Sequence, residues 1–242
     1  MTAALLVVAG IAAGLTGSMA GLASLFSYPA LLAAGLPPTV ANQTNTIALA
    51  VSSTGSILGS RPELRGQGAR VLRLLPLTIA GGAIGAALVL LTPPDAFALI
   101  VPFLVAGASL VLLRPPRTTA PATTTGVGAR LGCVAIGVYS GYFGAAAGVV
   151  MLALLSRLLA DSLVRVNAVK NVLLGASNAV AAVGFVLVGD VAWSAALPLT
   201  VGLLAGNSVG PAIARRLPPR VLRVGIAVAG LVLAAVLLVR AL

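Results

Sequence analysis

The sequence predicts an all-α polytopic membrane protein made of two inverted-topology repeats, and three observations lead to this fold class. The 242-residue chain is 60% apolar and 8% charged, with a mean hydropathy of +1.14, whereas soluble domains carry about 25% charged residues. It contains about eight hydrophobic segments, most of them near the ~20 residues that a helix needs to span a bilayer. Finally, a glycine pattern of the first half recurs in the second half.

The repeated pattern is G-x3-G-x2-G-x3-G, found at Gly10, Gly14, Gly17 and Gly21 and again at Gly137, Gly141, Gly144 and Gly148. Further matches follow in the same order, at a second constant offset: Asn42 with Asn167, Gly81 and Gly85 with Gly206 and Gly210, and Pro93–Pro94 with Pro218–Pro219. Chance does not account for four matches that occur in the same order in both halves of the chain. We therefore predict a tandem duplication, an architecture that in membranes is typical of transporters.

The opening segment of each repeat, 3–34 and 131–158, is long for a single span. A helix over 3–34 would be about 48 Å long, against a bilayer core of about 30 Å. Because the glycine motif lies near its middle, we predict a broken or re-entrant helix pair that enters and leaves on one face. Three transmembrane helices then follow in each repeat, at 39–59, 74–94 and 96–113, and at 171–189, 191–214 and 224–239.

Positive charge lies between the apolar runs and indicates their orientation. If every run crossed once, the arginine-rich loops 61–73 and 215–223 would lie on opposite faces, against the positive-inside rule. With two re-entrant pairs, every Lys and Arg except Arg240 faces the cytoplasm, and the second repeat is inverted relative to the first. The net charge of +11 is thus assigned to topology, and no nucleic-acid partner is predicted.

One transmembrane domain is predicted over 1–242, with repeat 1 at 1–113, a cytoplasmic linker at 114–128 and repeat 2 at 129–242. The expected location is the plasma (inner) membrane, multi-pass, and a homodimer is compatible with this fold. The chain has one cysteine and no histidine, so neither an intramolecular disulfide nor a metal or other cofactor is predicted.

The glycine motifs are the first candidate for chemistry. Small residues four apart allow close helix packing, which is one interpretation. The other is a broken helix whose free backbone N–H groups and dipole form an anion site at Gly17–Gly21 and Gly144–Gly148. The two roles are compatible.

The second candidate is a polar face on the helix after each break. Asn42, Asn45 and Thr46 match Asn167, Lys170 and Asn171 in register, at i, i+3 and i+4, and therefore share one helical face. Interhelical hydrogen bonding is one reading of these amides, and a shared pocket is the other. Lys170 either extends to the headgroups or faces that pocket.

Acidic residues are absent from the apolar runs, because Glu63, Asp95, Asp161 and Asp190 all lie in loops or at helix ends. Intramembrane carboxylates usually carry protons or cations. Without them, and without a base beside any serine, the sequence favours an anion-binding site over a cation site or an enzyme.

These features resemble the sulfite exporter TauE/SafE family over nearly the whole chain. The residues that carry the resemblance are Gly14–Gly21 with Pro29, Gly141–Gly148, Ala41–Thr46, Asn167–Asn171 and Leu217–Arg220. The resemblance implies about eight hydrophobic segments in two repeats and transport of sulfite, organosulfonates or related anions. The chain departs from the family where its second motif reads Gly-Ala-Ala-Ala-Gly and where Ser156 replaces a common proline.

We therefore expect a secondary transporter of a small anion such as sulfite, an organosulfonate or a small carboxylate. A passive anion channel and a non-transporting membrane scaffold are the alternatives. The expected substrate-binding residues are Gly17, Ser18, Gly21, Asn42, Thr44, Asn45, Gly144, Gly148, Asn167, Lys170 and Asn171.

Overall fold

The fold is taken from a computed structural model that describes residues 2–113 and 126–214, together with residues 231, 232, 235, 238 and 239. All regular structure in these residues is helical, which confirms the all-α part of the predicted fold class. The helices are α1 (Thr2–Ala20), α2 (Ser24–Ala33), α3 (Pro38–Gly59), α4 (Arg61–Leu64), α5 (Gly68–Leu91), α6 (Pro94–Leu113), α7 (Val127–Tyr142), α8 (Ala147–Leu158), α9 (Leu163–Val188) and α10 (Trp193–Ala214).

Each long opening segment is broken into two helices, α1 and α2 in the first copy and α7 and α8 in the second. The short helix α4 was not predicted. Most of the predicted linker, 114–125, lies outside the described residues, and Val127 already belongs to α7. The last loop, 215–223, and most of the last predicted span, 224–239, also lie outside them.

Three of the described helices are long and apolar enough to cross a membrane, namely Gly68–Leu91, Leu163–Val188 and Trp193–Ile213. Shorter apolar stretches include Ala3–Met19, Ser24–Ala33, Pro94–Gly107 and Ala147–Leu158. Large apolar side chains are widely exposed on these helices, for example Leu72, Leu91 and Leu187. So much exposed apolar surface suits a lipid environment. The protein is a polytopic helical membrane protein.

The helices of the first and second halves of the chain pack against each other through their glycines. In α1, Gly10 and Gly14 lie against Gly202 and Gly206 of α10, and a methyl on either would come within about 3 Å of backbone there. In α7, Gly137 and Gly141 meet α5 in the same way, at Gly81 and Gly82. Each first half-helix therefore packs closely on a helix of the other copy, as small residues allow.

The order of these contacts gives the helix directions. In α1 and α10, residues later in one helix contact residues later in the other, and the same holds for α5 and α7. The helices of each pair therefore run parallel. By contrast, α3 and α9 are antiparallel, because Gly175 lies beside Ser53 whereas Gly189 lies beside Gln43. The matched helices α3 and α9 thus run in opposite directions.

Both broken pairs form hairpins that return to the end of the molecule where they begin. Asp161, just after α8, lies 2.6 Å from Arg70 near the start of α5, which runs parallel to α7. At the opposite end of α9, the Gln43 Oε1 atom accepts a hydrogen bond from the Asp190 N–H at 2.7 Å, near the start of α10. Because α1 is parallel to α10 and α2 leads into α3, the first hairpin opens at that opposite end. The two helix breaks consequently lie between the ends.

Candidate functional site

The two helix breaks touch each other at Gly21 and Gly148. Each glycine leaves no space for a side chain, because a methyl on Gly21 would lie 2.6 Å from the Gly148 carbonyl carbon. Gly21 also has φ +76°, which favours glycine. The first helix continues to Ala20, so Gly17 and Ser18 lie in its last turns rather than in the break.

The second break presents backbone donors. Gly144 (φ +73°) and Ala146 (φ 55°) turn the chain through the left-handed region just before α8. Among the described residues, the N–H groups of Ala146 and Gly148 find no acceptor. Unpaired N–H groups at a helix N-terminus attract anions, and the helix dipole adds to this attraction.

A cavity of about 80 Å³ opens where the breaks meet. By the same measure of volume, one water molecule needs about 10–15 Å³. Among the residues that line it are glycines of both motifs and hydroxyl and amide side chains from six helices. They include Gly17, Ser18, Gly21, Ser24, Thr46, Ser53, Ser56, Ser140, Gly144, Gly148, Lys170, Asn171, Asn178 and Asn207. Within the part of the chain that the structure describes, no Asp or Glu lines the cavity.

Lys170 supplies the positive charge of this cavity. It is the only lysine of the chain, and it is 1% exposed. Its Nζ atom lies 3.4 Å from the Gly17 carbonyl oxygen, at the end of α1. The side chain therefore faces the pocket and does not extend to the headgroups.

Asn171 follows Lys170 on the wall of the cavity. Its amide nitrogen is buried without a hydrogen-bond partner in the described structure. A buried donor that stays unpaired costs roughly 1–3 kcal/mol. An occupant with acceptor oxygens would remove that cost.

Asn42 and Asn167 support the breaks from outside the cavity. Asn42 Nδ2 donates to the Tyr142 carbonyl at the end of α7 at 2.8 Å, and Asn167 Nδ2 donates to the Ser18 carbonyl near the end of α1 at 2.9 Å. Each amide therefore caps the broken helix of the other copy, whose last carbonyls lack partners within the helix.

Of the eleven predicted site residues, the cavity brings together Gly17, Ser18, Gly21, Gly144, Gly148, Lys170 and Asn171. Asn42, Thr44, Asn45 and Asn167 are buried but are not among its lining residues. Thr44 Oγ1 accepts a hydrogen bond from the Ala192 N–H at 3.1 Å, and Asn45 Nδ2 donates to Ser24 Oγ at 3.3 Å.

Sequence reasoning missed several polar residues of the cavity, among them Ser24, Ser140 and Asn207. Asn207 donates to the Ser52 carbonyl at 3.0 Å, and Ser140 donates to Asn178 Oδ1 at 3.2 Å. Asn207 could have been found as an amide inside an apolar span. Ser140 gave no such signal, because a single serine is common in apolar helices.

A charged cluster lies at the end of the molecule where α8 returns. Asp161 contacts Arg70 at 2.6 Å and Arg165 at 3.0 Å, and Arg165 also donates to the Arg65 carbonyl. The Arg70 guanidinium, with the Ser162 N–H and Arg165, holds the pKa of the Asp161 carboxyl below its usual value near 3.8. This cluster fastens the loop after α8 to α5 and α9.

Comparison with known proteins identifies the family. The description "Sulfite exporter TauE/SafE" matches residues 6–237, which is nearly the whole chain. The chain belongs to the sulfite exporter TauE/SafE family. The relatives include "Probable membrane transporter protein YfcA" of Escherichia coli strain K12, 29% identical over 233 residues, which cover 93% of this chain and 86% of the relative.

Proteins of the same name from E. coli O6:H1 and O157:H7 match to the same extent. No solved structure matches the chain significantly. Membership of the TauE/SafE family makes this protein a membrane transporter rather than a member of an enzyme family.

Proposed function

We propose that the protein is a secondary transporter of small anions, with its binding site in the cavity where the two helix breaks meet. The observation that carries this proposal is the position of Lys170, a buried ammonium in a cavity that no carboxylate of the described residues lines. An uncompensated buried charge is unfavourable. An anion in the cavity would compensate it.

The surrounding groups support a polyoxygenated anion. The Asn171 amide and the N–H group of Gly148 are donors without acceptors among the described residues, and both residues line the cavity. Ser24 also lines the cavity, and its hydroxyl accepts from Asn45 and keeps its own proton for an occupant, whereas the Ser53 and Ser56 hydroxyls donate to carbonyls of α3. Sulfite, an organosulfonate or a small carboxylate offers two or three oxygens to such donors, and the family description names sulfite.

Transport would alternate access to this cavity by movement of one repeat against the other across the plasma membrane. The antiparallel course of α3 and α9 supports inverted repeats, since equivalent helices of such repeats run in opposite directions. On this proposal the end with Arg70 and Asp161 is cytoplasmic, as the positive-inside rule requires, together with the linker 114–128.

Cysteine labelling tests the topology. In a Cys133→Ser background, a cysteine at position 37 should react with an impermeant reagent from outside, and one at position 160 only from inside. Reaction of both from the same side would contradict the inverted arrangement.

Flux into proteoliposomes tests the function. We expect saturable uptake of labelled sulfite or methanesulfonate, faster counterflow when the lumen is preloaded, and loss of both in Lys170→Met. Thr78→Val is the matched control, because Thr78 is a fully buried polar residue outside the cavity lining. Flux without saturation or counterflow would indicate a channel. The scaffold alternative predicts that folded protein gives no flux above that of empty liposomes for sulfite, methanesulfonate or acetate.

A further inference from the structure

We infer that Lys170 couples anion transport to a proton, so that the anion and one proton cross together. This inference rests on the proposed function. It starts from the composition: the chain has 15 Lys and Arg residues, and its one lysine is the cation buried in the cavity. Lysine can lose its proton when it is desolvated, whereas arginine stays charged.

The protein groups around Lys170 offer little to balance its charge. Among the described residues, Nζ donates one hydrogen bond, to the Gly17 carbonyl at 3.4 Å, and that oxygen also accepts from the Gly21 N–H at 2.7 Å. The C-terminal end of α1 contributes a partial negative charge, and the N-terminal end of α8, at Gly148, contributes a partial positive one. These partial charges oppose each other at the ammonium.

No other titratable group of the described structure faces Lys170 in the cavity. The described lining residues come from α1, α2, α3, α7, α8, α9, α10 and the two helix breaks, and none is an Asp, Glu, Arg, Tyr or Cys. Among the elements packed on α9, α5 carries Arg70 and α8 leads to Asp161, but these two pair with each other at the end of the molecule. On α9 itself, Arg165 pairs with Asp161. Arg73 of α5 and Arg157 of α8 are not in the lining, and Tyr139 of α7 donates its hydroxyl to the Ala145 carbonyl.

The transport cycle follows from this charge balance. With an anion bound, the pair of ammonium and anion is neutral, and the loaded cavity can change its access. After the anion leaves, the ammonium is uncompensated and releases its proton to the aqueous side that the cavity then faces. The neutral amine returns empty and takes up a proton together with the next anion. One anion and one proton therefore move per cycle, with no net charge for a monovalent anion.

Methanesulfonate is the appropriate probe, because it keeps a single negative charge over the useful pH range and cannot carry the proton itself. With the exterior one pH unit more acidic than the lumen, we expect about tenfold accumulation in proteoliposomes. One pH unit and a potential of about 60 mV both correspond to a factor of ten. A potassium diffusion potential of that size, with no pH gradient, should give no accumulation.

Lys170→Arg separates the coupling from the binding. Its fixed charge should preserve exchange of external for internal methanesulfonate, but should abolish net uptake driven by the pH gradient. If the arginine variant does not fold, proton coupling is still tested by comparing methanesulfonate accumulation under the pH gradient with accumulation under the membrane potential in the unaltered protein.

Two results would overturn the inference. Saturable exchange that follows the membrane potential and ignores the pH gradient would do so and leave the anion transporter intact. Absence of exchange for methanesulfonate, sulfite and acetate alike would remove the proposed function itself, and the coupling with it.

Discussion

The contact between the two helix breaks predicts that Gly21→Ala is far more damaging than Gly66→Ala. Both glycines have φ +76°, but nothing lies within 4 Å of a methyl at Gly66, whereas a methyl at Gly21 would meet the Gly148 carbonyl carbon at 2.6 Å. Gly66→Ala therefore measures the backbone cost alone. We expect a loss of about 1 kcal/mol, because the left-handed conformation costs alanine ~1–2 kcal/mol and a stiffer unfolded chain returns roughly 0.4–1 kcal/mol.

Gly21→Ala adds the overlap with Gly148, which at the usual ~1–3 kcal/mol for overpacking brings the loss to about 3 kcal/mol. For a chain of this size, 1 kcal/mol corresponds to a Tm change of roughly 2–4 °C. We therefore expect Tm to fall by about 2–4 °C for Gly66→Ala and by about 6–12 °C for Gly21→Ala. Cys133 is the only cysteine and is buried, so a thiol-reactive fluorogenic dye reports unfolding in detergent. Equal Tm losses in the two variants would refute the contact between the breaks.

Three further predictions concern packing, capping and charge. Gly206→Ala should destabilise the protein by about 1–3 kcal/mol, because its methyl would come 2.8 Å from the Leu15 nitrogen. Gly184→Ala, whose methyl has only a 4.0 Å contact, should stabilise it by about 0.5–1 kcal/mol. Equal thermal stability of the two variants would contradict the α1–α10 packing. Asn167→Ala should cost roughly 0.6–2 kcal/mol in the same assay, since it leaves the buried Ser18 carbonyl unpaired, and an unchanged Tm would exclude the capping role. Asp161→Asn should cost up to about 1 kcal/mol at pH 7. Because the folded-state pKa of Asp161 is lowered, this difference should persist above pH ~4 and close as the pH falls further, and a pH-independent difference would argue against the ion pairs.

Sequence reasoning identified the helical membrane fold, the family and both helix breaks, because these leave local signals. Apolar runs report spans directly, and a glycine motif in an overlong segment reports a break. The exact end of α1 was not predictable. The glycine motif predicted that Gly17 belongs to the break, but α1 continues up to Ala20. That boundary depends on tertiary contacts, such as the side chain of Asn167 that caps the Ser18 carbonyl.

The candidate site was predictable in part for the same reason. Register placed Asn167, Lys170 and Asn171 on one face, but rotation of the helix in its packed position decides which of them line the cavity. Lys170 and Asn171 do, whereas Asn167 faces the end of α1. Asn207 lies on α10, which does not carry the G-x3-G-x2-G-x3-G motif that marks the helix breaks. Only the packing of α10 on α1 and α3 brings Asn207 to the cavity.

The central claim is that the cavity between the breaks holds the transported anion, and substrate protection of a cysteine tests it most directly. Ser53 lines the cavity on α3, whereas Gly68 is exposed at the start of α5 with open space for a side chain. In a Cys133→Ser background with measurable flux, methanesulfonate should slow the reaction of Ser53→Cys with a small methanethiosulfonate reagent and leave Gly68→Cys unaffected. Equal reaction of Ser53→Cys with and without saturating anion would contradict the claim.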